Sequence, residues 1–99
     1  MSVLVTMRVK VNDFAGTKAA AAKYADEMKR SGCHWFKIYR AEKDPNDVLW
    51  LMEWESHEAF NAAGEDTGED VNNLVQPVGE WDDVVWQLSD AVEVRNHAA

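Results

Sequence analysis

The sequence predicts an α+β domain of element order β-α-β-β-α-β, and three observations predict it. Val3, Val5, Met7, Val9 and Val11 alternate with Leu4, Thr6, Arg8 and Lys10, which is the period of a strand. The stretch FAGTKAAAAKYADEMKR follows, rich in Ala, Lys and Glu and apolar at helical spacing. Two further apolar segments, CHWFKIYRAEK and VLWLMEWE, flank the turn residues Asp44-Pro45-Asn46-Asp47 and read as a hairpin.

The elements follow in order. The first strand presents one wholly apolar face. Asn12-Asp13 offers a helix N-cap, and Phe14, Ala21, Tyr24, Ala25 and Met28 form the buried stripe of the helix. Ser31-Gly32 stops it, with Lys29 and Arg30 in the last turn, where cations suit the dipole. In the hairpin, Phe36 and Ile38 share a face with Met52 and Trp54, while Trp35, Lys37 and Tyr39 point the other way. Ser56 caps a second helix over HEAFNAA. GEDTGED interrupts it, and VNNLV resumes a helical turn before Pro77. WDDVVWQL is the fourth strand, with Val84, Trp86 and Leu88 on one face, and residues 90–99 form a polar tail.

Two β-α-β crossovers on one antiparallel sheet give a ferredoxin-like sandwich with both helices on the same face. The other face carries Leu4, Thr6, Trp35, Tyr39, Leu49 and Leu51 and is left uncovered. An apolar sheet face of that size calls for a partner, most simply a second copy packed sheet to sheet.

Composition bounds the reading further. The 99 residues fit one domain, residues 1–99, and 46% hydrophobic with 28% charged residues fits a folded globular chain. Five tryptophans must be placed in a core, an interface or a ligand site. Residues 1–43 carry nine Lys/Arg against four Asp/Glu, a charge of +5. Residues 44–99 carry one against fourteen, a charge of −13, for a total of −8. The acidic total speaks against a nucleic-acid partner. A single cysteine, Cys33, rules out an intrachain disulfide and a thiolate cluster. No apolar run spans a membrane and no cleavable signal pattern opens the chain, so a cytoplasmic protein is expected.

The stretch SGCHWFKIYRAEKDPNDVLWLMEWESHEAF resembles the central hairpin and the start of the second helix in the antibiotic biosynthesis monooxygenase superfamily. The likeness lies in the Gly-Cys start, the Tyr-Arg strand end, the Asp-Pro turn and the E-W-E-S-x-E-A-F junction, and it extends over about residues 3–76. It implies a dimeric α/β barrel with a small pocket between each sheet and its helices. It also implies oxidation of phenol-, quinol- or polyketide-like aromatics by dioxygen, with neither metal nor flavin. The haem-degrading branch of that group has an asparagine on the first strand and a haem-ligating histidine on the second helix. Here the strand residue is Met7, and residues 58–76 hold no histidine, which disfavours haem degradation.

The resemblance implies that Trp54 borders the ligand, although an indole at that position equally serves as core packing. Met7, Phe36, Met52 and Phe60 complete the candidate ligand-binding set, and Trp50, nearer the hairpin end, reads as rim or helix packing. No general base stands out. Besides Trp54, the catalytic candidates are Tyr24 on the inner helix stripe, His57 at the start of the second helix and Asn61 on it. Each has an ordinary structural alternative: a tyrosine with its tip in solvent, an exposed first-turn histidine, a backbone-capping asparagine. Cys33 and His34 are adjacent on a strand and face opposite ways, so they form no catalytic pair. The acidic loop at 64–70 lacks the spacing of a calcium loop and reads as solvated, with two glycines that suit a lid. Three functions remain: a cofactor-independent monooxygenase acting on a small aromatic, a non-catalytic small-molecule-binding or accessory dimer of the same fold, or a structural dimer whose aromatics are only core.

Overall fold

A computed structural model describes residues 2–64 and 77–88, with side chains described for 2–64 and 82–88. The outer part of the 64–70 loop, the VNNLV turn and the 90–99 tail lie outside the described residues. The order is β1 (Val3–Val11), α1 (Phe14–Arg30), β2 (Cys33–Arg40), β3 (Asp47–Trp54), α2 (described over residues 57–64) and β4 (Pro77–Gln87). The strands form one sheet of order β2-β3-β1-β4, with every neighbouring pair antiparallel. This is the expected ferredoxin-like α+β arrangement.

Local chemistry explains the helix boundaries. The Asp13 carboxylate accepts from the Ala15 N–H at 3.1 Å, and the Ser56 hydroxyl accepts from the Ala59 N–H at 3.0 Å, so each helix opens on a side-chain cap. Helix α1 ends at Ser31, and Gly32 follows at φ 113°, a backbone region that L side chains avoid. Its carbonyl accepts from the Glu55 N–H at 2.9 Å, which ties the end of α1 to the end of β3.

The register sorts the sheet into two faces. On the inner face, successive rows across β2, β3, β1 and β4 read Ile38-Trp50-Met7-Asp83 and Phe36-Met52-Val5-Val85. Val5, Val9, Val11, Val48, Met52 and Trp54 are fully buried there against Ala20 and Ala21 of α1 and Ala63 of α2. Both helices therefore cover the same face. Small alanines let α1 approach the strands closely, and the buried aliphatics supply most of the stabilisation.

Three details differ from the sequence expectation. Thr17 is wholly buried on α1, where its hydroxyl donates to the Asp13 carbonyl at 3.4 Å, so the stripe is centred on Phe14, Thr17, Ala20 and Ala21. Strand β2 stops at Arg40, where Ala41 turns its N–H to the Asp47 carbonyl. Strand β4 starts at Pro77, ahead of the expected Trp81, since proline is tolerated at the first residue of an edge strand.

Candidate functional site

The inner layer is built from β2, β3 and β1 with the two helices over it. Parity along β3 turns Trp50, Met52 and Trp54 inward together. Trp54 is 2% exposed and meets Phe60 of α2 edge to face, with ring centroids 5.7 Å apart. Trp50, read from the sequence as rim or helix packing, is 4% exposed and stacks on Phe36 at 5.6 Å. The register accounts for its burial: Trp50 lies opposite Ile38 and Met7 in the middle of the sheet.

Among the described residues, neither the Trp50 nor the Trp54 indole N–H has a hydrogen-bond acceptor. Buried donors are almost always paired, because leaving one unpaired costs about 1–3 kcal/mol. Two such donors on one strand face, with polarisable Met52 between them, are the most unusual chemical feature of the layer.

The structure brings Met7, Phe36, Met52, Trp54 and Phe60 into one core cluster. Tyr24 is half-buried on α1, whereas His57 and Asn61 are exposed on α2 and reach the layer at most from its rim. Cys33 is buried, with its thiol donating to the Trp35 carbonyl at 3.3 Å. Burial pushes its pKa up to about 11, so it stays a neutral thiol near pH 7.

Two features were not anticipated from sequence. Asp83 stands on the inner face in the row of Met7 and Trp50, a solvated carboxylate at the β4 edge. Parity carried the signal, since placing Val84 and Trp86 on one face turns Asp83 and Val85 to the other. Arg8 and Asp47 form a two-pronged ion pair on the outer face, Nε to Oδ1 at 3.0 Å and a terminal nitrogen to Oδ2 at 2.6 Å. Asp47 pairs with Lys10 in register, which makes Arg8 its diagonal neighbour across the strands.

The outer face carries Trp35, Tyr39, Leu49, Val84 and Trp86, all exposed. His34 joins it at a bulge in β2, its Nδ1 lying 2.7 Å from a Glu53 carboxylate oxygen. Among the described residues, no three His, Cys, Asp or Glu side chains gather as a metal site, and no helix is long and apolar enough to cross a membrane.

Comparison with known proteins agrees with this fold. No curated protein sequence matches the chain significantly. A solved protein of Bordetella bronchiseptica assigned to the antibiotic biosynthesis monooxygenases superposes with a TM-score of 0.74 at 16% identity, over 87% of this chain and 95% of its own. The cofactor-independent oxygenase SnoaB of Streptomyces nogalater gives 0.73 at 17% identity, over 94% and 95%. A conserved protein of Methanosarcina mazei gives 0.72 at 14% identity, over 88% and 92%. At these identities the likeness concerns the fold. The antibiotic biosynthesis monooxygenase family itself matches residues 1–65, and the chain belongs to that family.

Proposed function

We propose that this protein oxidises a small electron-rich aromatic, a phenol, quinol or polyketide-like compound, with dioxygen and no cofactor. Family membership and the fold shared with the oxygenase SnoaB support the reaction type. The observation that carries the site is the pair of buried, unpartnered indole N–H groups of Trp50 and Trp54. A substrate oxygen accepting from either one relieves the desolvation cost of that donor. The ionised form of that oxygen gains most, because hydrogen bonds to an anion in a water-poor layer are the strong ones.

A phenolic compound with a reactive methylene, such as a dihydroanthracenone, illustrates the chemistry. Loss of a proton to Asp83, on the same inner row as Met7 and Trp50, gives an anion held by the indole donors. One electron passes to dioxygen, and the resulting pair combines to form a carbon–oxygen bond. The peroxide anion takes back the proton held by Asp83, and the resulting hydroperoxide loses its remaining C–H proton and hydroxide as water, leaving a carbonyl in place of the methylene. One dioxygen is consumed, with one oxygen atom in the product and one in water. In this reading the half-buried Tyr24 of α1 orients the substrate hydroxyl, and the exposed His57 and Asn61 of α2 stand at the rim.

We infer further that the open sheet face binds a second copy of the chain. Five exposed large hydrophobics on one face support this reading.

Aerobic incubation with a dihydroanthracenone and naphthol panel in an oxygen electrode tests the activity. The expected result is uptake of one dioxygen per carbonyl formed, reduced at least tenfold in Asp83→Asn. Uptake no faster than in protein-free buffer sinks the monooxygenase reading. The competing reading, a non-catalytic binding protein, rests on a specific observation: among the described residues, the one fully buried ionisable group of the inner layer is the neutral Cys33 thiol. Saturable ligand binding without oxygen uptake would favour it.

A further inference from the structure

We propose that the substrate of this layer carries a carboxylate, and that Arg40 recognises it at the end of the seam between α1 and β2. The inference rests on the ligand site proposed above and adds to it the charge of the ligand.

Phe36, Ile38 and Arg40 alternate on β2, so Arg40 projects to the inner face, one step along the strand from Ile38. The seam there is apolar: Phe14 and Met28 of α1 and Phe36 and Ile38 of β2 are all half-buried and pack against the core that holds Trp50 and Met52. The Arg40 guanidinium lies over the Phe14 ring, 4.7 Å from its centroid. That contact positions the cation but satisfies none of its five N–H donors.

Of the other cationic side chains of the sheet, Lys37 lies over the Trp35 ring on the outer face, and the two on β1 are paired with carboxylates. Arg8 is paired with Asp47 and Lys10 with Asp44. Among the described residues, no carboxylate pairs with Arg40. A cation held by a ring at the end of an apolar seam, with its donor fork unused, matches the planar, bidentate geometry of a carboxylate.

The charge distribution along the chain points the same way. Residues 14–40, which make both walls of the seam, hold six Lys/Arg against two Asp/Glu, while the whole chain stands at −8. An acidic protein therefore presents a locally cationic wall to an incoming anion. Reach is also consistent. Arg40 lies two strand residues beyond Ile38, the in-register partner of Trp50, which is about 7 Å along β2. A bicyclic aromatic lying along Ile38 with a carboxylate on its far ring spans that distance.

Quenching of tryptophan fluorescence by 2-naphthoate and by its neutral counterpart 2-naphthalenemethanol tests the proposal. The wild-type protein is expected to bind the carboxylate at least tenfold more tightly, with the preference shrinking as salt is raised. Arg40→Met should abolish the preference while leaving the affinity for the alcohol within twofold. Arg40→Lys should keep part of the preference. Arg40 is exposed, so both variants should retain the wild-type circular dichroism spectrum. Equal affinities in the wild type, or a preference that survives Arg40→Met, overturns the role of Arg40 and leaves the aromatic site standing. Absence of quenching by either compound overturns both.

Discussion

Trp86 donates its indole N–H to the Thr6 hydroxyl at 3.0 Å, which fixes a tryptophan that is 51% exposed on the open face of the sheet. Leu4 lies directly opposite Trp86, and Val84 lies opposite Thr6. A large aromatic held in one orientation before any partner arrives loses little entropy when it is buried, which is the property of an interface anchor. Light scattering should give twice the chain mass for the wild type at micromolar concentration. Trp86→Arg should shift it to the monomer by at least tenfold in dissociation constant. A monomeric wild type, or a dimer indifferent to Trp86→Arg, contradicts the sheet-to-sheet assembly.

Asp47 gives stability an acid limb. Hydrogen bonds from Arg8, reinforced by its charge and that of Lys10, hold the Asp47 carboxyl below its ordinary value despite its burial. Folding thus favours the ionised form. The resulting stabilisation is complete above the usual aspartate value of about 3.9 and is lost as pH falls through the lower folded value. Urea midpoints measured across about pH 2 to 6 should fall more steeply for the wild type than for Asp47→Asn. Parallel acid limbs in the two proteins would show that the pair is too well solvated to matter.

Gly32→Ala should destabilise the fold by about 1–3 kcal/mol, because a side chain is forced into a left-handed backbone region. A Cβ there also falls 2.8 Å from the Glu55 Cγ, a contact the flexible glutamate can relieve only in part. Thermal or urea unfolding reads the change directly. Gly64→Ala is the control, since a Cβ at that position meets nothing within 4 Å.

The fold was legible because each element carries its own signal. The alternation of β1, the Asp13 and Ser56 caps and the Ser31-Gly32 stop recur in the structure at the residues expected. Alternation in the hairpin also set the faces, so that Phe36, Met52 and Trp54 turn inward and Trp35 and Tyr39 outward. Rim and helix packing both stood open for Trp50, because the choice depends on the cross-strand register that sets it between Ile38 and Met7. The Arg8–Asp47 pair was hidden for a related reason: it joins residues 39 positions apart whose side chains meet diagonally. Asp83 shows the opposite case. Its inward position follows from strand parity alone, but its meaning emerges only when the register sets it beside Met7 in the row of Trp50.

Trp54→Phe separates hydrogen bonding from packing, because it keeps an aromatic ring and removes the N–H. It should weaken 1-naphthol binding about fivefold, the worth of roughly one hydrogen bond, and leave the affinity for naphthalene within twofold. Equal losses for both compounds would assign Trp54 to shape alone.

The most direct test watches the indole N–H groups themselves. In a nitrogen-15 labelled sample, the five tryptophans give separate Nε1–H signals, assignable by single Trp→Phe variants. On titration with 1-naphthol, the Trp50 or Trp54 signal should move downfield and saturate, as the buried donor acquires an acceptor. Movement confined to Trp35 and Trp86 on the outer face, with Trp50 and Trp54 unmoved, would contradict a ligand site between sheet and helices.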